Sequence, residues 1–327
     1  MLGGLLALLS AATFGLNDVS IRRGVLTGTP FQGTAITVPL GVPLFALGAL
    51  IAGSFGFLGG LSPAAFVFLA IAGFIHLIWG RYWQFQAIRA MGTNLVGPVQ
   101  QTTLIISLGG SVWFLDEVLT PLRLLGIGLI LLGSLAILKS RPAPAGRETP
   151  TSAPLFQPKY LLGFTSAALA ALGFGSSVLF IRAALEGAGP SAGLPGGLVS
   201  YAAATSVLAA SMLWRRQRQH VFSVDRRSAR WFTLSGILAC ISHMFRFMAL
   251  GVAPVTVVAP LLQTQFIFRL LFGWFLNRDY EDFSFWTLTG ILISLIGAVA
   301  LSVSADFVTA HLSLPEALVD IVRWQWP

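Results

Sequence analysis

FGLNDVSIR, residues 14–22, is answered 160 positions later by FGSSVLFIR, residues 174–182, and the same offset carries Pro30 onto Pro190. Further along, an offset of 162 takes Phe85 and Ala87 to Phe247 and Ala249, Pro98 to Pro260, and Gln101 to Gln263. An offset of 164 lays GIGLILLG (126–133) on GILISLIG (290–297), with Glu117 on Glu281. The slow drift of the offset is one small loop insertion, so the chain reads as an internal duplication.

What is duplicated is apolar. Over 327 residues, 55% are hydrophobic and 10% charged, and the mean hydropathy is +0.81. A soluble domain carries roughly 25% charged residues, so the solvent here is lipid. The apolar stretches approach the ~20 residues that cross a hydrocarbon core as a helix. Spans are expected at 2–21, 31–53, 63–88, 93–115, 121–138, 160–181, 194–213, 230–250, 254–276 and 285–304. The first lacks a basic leader and continues into Val19 and Ile21, so it reads as a retained helix rather than a signal peptide. Five spans per copy is an odd number, which makes the second copy enter the membrane from the opposite face. The expected fold is an all-α integral membrane protein of ten transmembrane helices, arranged as two inverted five-helix repeats.

The expected units are a first repeat at 1–138, a linker at 139–159, a second repeat at 160–304 and an interfacial segment at 305–327. Five prolines make KSRPAPAGRETPTSAPLFQPK, 139–159, a connector rather than a span. Trp324 and Trp326 suit the C-terminal segment to a membrane interface. Fourteen of the twenty Lys and Arg residues fall in loops on the linker side, including RRQRQHVFSVDRRSAR at 215–230. The other side carries Arg123, Arg182 and Arg323, and Arg81, Arg246 and Arg269 fall inside spans. The positive-inside rule then puts the linker side in the cytoplasm and both termini outside, in a plasma or bacterial inner membrane. In this setting the formal charge of +8 marks orientation in the bilayer and implies no nucleic-acid partner. Cys240, the single cysteine, rules out an internal disulfide and a cysteine metal cluster. His76, His220, His243 and His311 lack metal-ligand spacing, and no phosphate loop or nucleophile elbow appears, so neither metal nor cofactor is expected.

Two copies of Phe-Gly in the first helix, a short turn between the third and fourth, Pro early in the fourth, then Glu and spaced glycines, resemble the EamA-type drug/metabolite transporter superfamily, from about residue 3 to 304. The resemblance implies a ten-helix carrier whose central cavity is lined mainly by helices 1, 3, 4, 6, 8 and 9. Two departures stand out. The basic residue often found early in the second helix of each half is replaced by Thr37 and Tyr201. The charge asymmetry also places the termini outside, opposite to the habit of the superfamily.

Polar residues inside spans carry the functional reading. An arginine at the centre of a spanning helix costs about 2.5–3.5 kcal/mol on insertion scales, so it normally faces a partner or a polar cavity. Arg81 stands eight residues before Arg89, about 12 Å deep along the helix. Arg81 and Gln84 share a face, as do Asn94, Pro98 and Gln101. In the second copy His243 aligns with Arg81, Arg246 with Gln84, Gln263 with Gln101, and Arg269 with Ser107. The expected substrate-binding set is therefore Arg81, Gln84, Gln101, His243, Arg246, Gln263 and Arg269, with Asn17 and Ser177 as neutral hydrogen-bonding groups. For the glutamines the competing reading is a plain interhelical hydrogen bond, and for Arg246 it is snorkelling to the interface. Asp18, the one in-span carboxylate, is the candidate for proton coupling; the alternative is a surface pair with Arg22 at i, i+4. His76 is read as a packed, hydrogen-bonded residue. Pro98 and Pro260 free the carbonyls of Asn94 and Thr256, to kink the helix or to serve the cavity. Trp79, Tyr82, Trp83 and Phe85 surround Arg81 in sequence, either to stack a substrate ring or to face lipid.

Three in-span arginines against one carboxylate describe a net positive cavity. The expected function is a secondary transporter moving a small polar or anionic metabolite by alternating access, with protons as the candidate coupling ion. The alternatives are a proton-coupled exporter of amino acids or related compounds, a channel, whose flux would not saturate, and a membrane enzyme acting on lipid. The enzyme would need clustered His, Asp or Glu near one face, a pattern the sequence lacks. If the orientation is right, cysteines placed at 139–159 or 215–230 resist an impermeant thiol reagent in intact cells. Labelling there, with protection at the termini, would reverse it.

Overall fold

The computed structural model describes residues 2–91, 96, 99–100, 102–139, 159–276, 289–290, 292–293, 296–297, 300 and 324. No β-strand occurs among them. Six helices are long and apolar enough to cross a membrane: α1 (Leu2–Gly24), α2 (Pro30–Ile51), α3 (Pro63–Met91), α6 (Tyr160–Leu185), α7 (Pro190–Ser211) and α8 (Arg226–Val252). Between and after them lie the shorter apolar α4 (Thr102–Phe114) and α5 (Pro121–Lys139), and α9 in two pieces, Val255–Leu262 and Gln265–Leu276. The tenth expected span, at 285–304, falls mostly outside the described residues, as do the interior of the linker and nearly all of the C-terminal segment.

Local chemistry sets several helix ends. Thr29 opens α2 with a capping box: Gln32 N donates to Thr29 Oγ1, and Thr29 N donates to Gln32 Oε1. Ser62 caps α3, with Pro63 in the first turn. Asp225 starts α8 earlier than hydropathy suggests, accepting from Arg227 N and Ser228 N at 3.0 and 2.9 Å and from Thr27 Oγ1 at 2.8 Å. Those donors hold its carboxyl at about 2. The basic 215–230 stretch is thereby divided. Arg215–Phe222 forms a short exposed helix, and Arg226 to Arg230 become the first turns of α8.

Three helices are broken, each at an identifiable place. α2 turns at residues 38–40, where Pro39 and Pro43 cannot donate backbone hydrogen bonds. α3 carries a π-helical segment, Phe74–Gly80, between its α-helical ends Pro63–Gly73 and Arg81–Met91. α9 breaks after Pro260, where Gln263 N and Thr264 N form tight bonds to the carbonyls of Pro260 and Leu261.

Helices in lipid gain little from apolar contact with one another, so close approach and polar links hold them. α1 packs along α8, clasped where Ser10 Oγ donates to Ser242 O at 2.9 Å and Ser242 Oγ to Ser10 O at 2.6 Å. α1 also crosses α9 at Gly15, where a Cβ would stand 2.7 Å from the backbone nitrogen of Arg269. α6 packs along α3 in the same manner. At Gly80 a Cβ would stand 2.6 Å from the Phe174 ring, so the glycine admits that ring. α6 also lies on α4, α7 on α2 and α3, and α8 on α2. Leu47, Leu50, Ile51, Leu161 and Leu172 are among the large apolar side chains left on the outside, where lipid covers them.

Glu117, in the loop between α4 and α5, caps the first piece of α9 by accepting from Val255 N at 2.7 Å and Thr256 N at 2.8 Å. Arg182 Nε lies 3.9 Å from the same carboxylate. Replacing Glu117 by Ala strips two charge-assisted hydrogen bonds from a buried helix start and should destabilise the protein by about 1–3 kcal/mol. Thermal unfolding in detergent checks this; Glu117→Gln, which keeps one acceptor, should fall between the two.

Candidate substrate cavity

A cavity of about 80 Å³, room for several waters, opens among α1, α3, α4, α6, α8 and α9. Phe14 and Asn17 reach it from α1, and His76, Arg81 and Gln84 from α3. Gln100, Thr103 and Ser107 come from the α4 region, and Phe174 and Val178 from α6. His243 and Arg246 of α8 and Ala259, Leu262, Gln263 and Gln265 of α9 complete the wall. Among the described residues the lining includes two guanidinium groups and no carboxylate.

The π segment explains why His76 and Arg81 meet in one cavity. In a straight α-helix at 100° per residue, positions five apart point about 140° away from each other. An i→i+5 turn closes that angle and stacks them on one side.

One hydrogen-bonded chain crosses the cavity wall. His76 Nδ1 lies 2.8 Å from Ser177 Oγ, and Ser177 Oγ donates to Phe174 O at 3.0 Å. With its hydrogen so committed, the serine accepts from His76, which carries its proton on Nδ1. His76 Nε2 is then an acceptor, and His243 Nε2, 3.1 Å away, donates to it. His243 Nδ1 in turn accepts from Tyr201 Oη at 2.6 Å, and Cys240 Sγ donates to Tyr201 Oη at 3.7 Å. Arg246 closes the other end: its Nη2 donates to Ser177 Oγ at 3.0 Å, and its Nη1 lies 2.9 and 3.1 Å from the His76 ring nitrogens. Phe174 packs on His76 and Phe14 on His243, with ring centroids 4.6 and 5.1 Å apart.

Not every polar atom is satisfied. Arg81 Nη1, Arg246 Nε and Gln263 Oε1 are buried without a hydrogen-bond partner among the described residues. Arg81 is 5% and Arg246 3% exposed, so neither guanidinium snorkels to an interface. Of the residues singled out from sequence, Arg81, Gln84, His243, Arg246, Gln263 and Asn17 line the cavity, with Asn17 Oδ1 also accepting from Ser235 at 2.7 Å. Ser177 belongs to the chain behind the wall. Gln101 lies outside the described residues, whereas its neighbour Gln100 reaches the cavity.

Arg269 is placed differently from expectation: it is absent from the lining, and its Nη1 lies 3.7 Å from Asp18 Oδ2. The break at Gln263–Thr264 turns the second piece of α9 toward α1. Asp18 accordingly pairs across helices rather than at a surface with Arg22, whose Nη1 donates to Ile88 O at 3.3 Å. His76, read from sequence as packing, stands at the centre of the hydrogen-bonded chain. Phe14, Phe174 and Gln100 also join the wall; for the two phenylalanines the sequence signal was present, since they head the repeated motif.

Fold and site together define a multi-pass helical membrane protein built around a buried polar cavity. Residues 1–139 match the EamA-like transporter family, a match consistent with the drug/metabolite transporter superfamily. A solved structure, described only as the crystal structure of a protein, shares the fold with a TM-score of 0.62 at 17% identity. That match covers 91% of this chain and 94% of the other. No curated protein matches the sequence.

The Asp18–Arg269 pair yields a direct test. Breaking a buried pair leaves one charge uncompensated, so Asp18→Asn should cost roughly 3 kcal/mol, and the double variant with Arg269→Gln should recover part of it. Unfolding of the four proteins of the cycle in detergent measures the coupling; strict additivity would dissolve the pair.

Proposed function

We propose that the protein is a secondary transporter that moves a small metabolite bearing a carboxylate or phosphate by alternating access between two inverted five-helix halves. Supporting the repeat, the contacts come in matched pairs under the exchange of helices 1 with 6, 2 with 7, 3 with 8 and 4 with 9. α1 on α8 answers α6 on α3, α1 on α9 answers α6 on α4, and α8 on α2 answers α3 on α7. A cavity at the seam of such halves is where a carrier binds its substrate. The basic loops face the cytoplasm of a plasma or inner membrane in this reading.

The observation that carries the substrate class is the pair Arg81 and Arg246, one from each half, lining one cavity whose wall, among the described residues, offers them no carboxylate. A buried guanidinium with unused donors is an incomplete interaction, and an entering anion completes it with charge-assisted hydrogen bonds. Gln84 and Gln263 supply neutral groups for the rest of a polar substrate. Members of the EamA-like family are transporters rather than enzymes, which favours transport for this chain.

Uptake into proteoliposomes across a panel of organic anions, phosphates, amino acids and cations tests the reading. Arg81→Gln and Arg246→Gln should each raise the apparent KM for an anionic substrate about 10- to 100-fold, the equivalent of one charge-assisted hydrogen bond of roughly 1.5–3 kcal/mol. Saturable transport of cations alone, or unchanged KM in both variants, would refute the basic-cavity reading.

A further inference from the structure

We propose that the His76–His243 pair is the proton-binding site of this carrier, loading together with an anion held by Arg81 and Arg246; this rests on the anion reading of the cavity. The pair bridges α3 and α8, lines the cavity on one side and continues on the other into a tail of hydroxyl and thiol groups. That tail lets a proton be taken up without moving a heavy atom.

In the unprotonated chain the donors run in one direction, from the Cys240 thiol through Tyr201, His243, His76 and Ser177 to the carbonyl of Phe174, with Arg246 Nη1 sharing the lone pair of His76 Nε2 with His243. A proton added at His243 Nδ1 turns that nitrogen from acceptor to donor. Tyr201 Oη then accepts from it, and the tyrosine hydrogen swings to Cys240 Sγ, 3.7 Å away, as the thiol hydrogen rotates off that line. His243 keeps its Nε2 proton and continues to donate to His76, so the link between α3 and α8 survives. One proton has been gained, no other bond to hydrogen has been broken, and the site carries one additional positive charge.

The surroundings tie that charge to the substrate. Facing the imidazoles are Arg81 from α3, Arg246 and Cys240 from α8 and Tyr201 from α7; α6 presents the neutral Ser177, and α1 presents Asn17. Asp18 of α1 is engaged with Arg269 of α9. With no carboxylate in the wall among the described residues, the charge that offsets an added proton arrives with the substrate. Anion and proton therefore bind with positive coupling, which is necessarily reciprocal.

Protein carrying ¹⁵N-labelled histidine, titrated in detergent, tests this without a known substrate. At high pH, His76 should show the Nδ1–H tautomer and His243 the Nε2–H tautomer. On acidification the two should take up one proton as a unit, and His76→Gln or His243→Gln should remove that joint step. Tyr201→Phe, which deletes the acceptor for His243 Nδ1, should lower the proton affinity tenfold or more. Benzoate or inorganic phosphate as the anion probe should raise it tenfold or more, and Arg246→Gln should abolish that linkage. Imidazoles that stay neutral down to about pH 5 with the probes present, or that titrate independently, would overturn the proposal, as would a joint step that neither probe shifts while that probe is transported. A joint step in protein that transports no anion would instead defeat the anion reading and leave the proton site standing.

Discussion

A guanidinium surrounded by hydrocarbon must find a partner, a wet cavity or a ligand, and the arrangement of this bundle follows from meeting that demand at Arg81 and Arg246. Both lie deep in their helices and are nearly inaccessible, so α3 and α8 have to turn those faces toward the centre. For Arg246, the neutral His76 imidazole and the Ser177 hydroxyl take up part of the hydrogen-bonding capacity. Arg81 Nη1 and Arg246 Nε are left without a hydrogen-bond partner among the described residues. The outer surface faces no such demand, which is why it is leucine-rich and why the contacts that order the helices are glycine crossings, serine clasps and one helix cap.

Irregular backbone gathers at the same centre. Carbonyls and amides freed from a helix ladder are costly in lipid and are tolerated where protein or a cavity receives them. The π segment of α3 and the break after Pro260 in α9 both adjoin the cavity. Each re-aims side chains: the first brings His76 beside Arg81, and the second exposes Gln263 to the cavity while turning Arg269 toward Asp18. A regular helix at either place would have supplied a different wall.

These irregularities also mark where sequence reading stops. Six of the ten expected spans were legible because hydrocarbon thickness sets a length that composition reveals, and their ends lay within a few residues of expectation. FGLNDVSIR and FGSSVLFIR suggested the repeat, and polar groups inside an apolar stretch pointed to Arg81, His243, Arg246 and Gln263, which line the cavity. His76 escaped because a 3.6-residue period puts it on another face from Arg81, and nothing in FIHLIWG announces a π turn. Arg269 was assigned to the cavity by extending that same period across a break. The partner of Asp18 was sought four residues away on its own helix because pattern reading sees local neighbours; the actual partner comes from a helix more than two hundred residues distant.

The two copies have diverged at their centre in a way that bears on mechanism. Aligned positions pair Arg81 with His243 and Gln84 with Arg246, so each copy contributes one arginine and one cavity histidine, but at non-equivalent places. The scaffold is close to symmetric and the cavity is not. Phe14 and Phe174, equivalent by the repeat, do remain matched, each against a histidine. On the proposed inverted-repeat reading, a symmetric scaffold supplies two related ways of opening, one toward each side of the membrane, while an asymmetric wall orients the substrate the same way in both. On the proposed mechanism an anion spanning Arg81 and Arg246 contacts both halves at once, so binding favours the state in which they are closed around it. Opening toward either side draws one guanidinium away and weakens the hold, which couples release to the same motion that provides the exit.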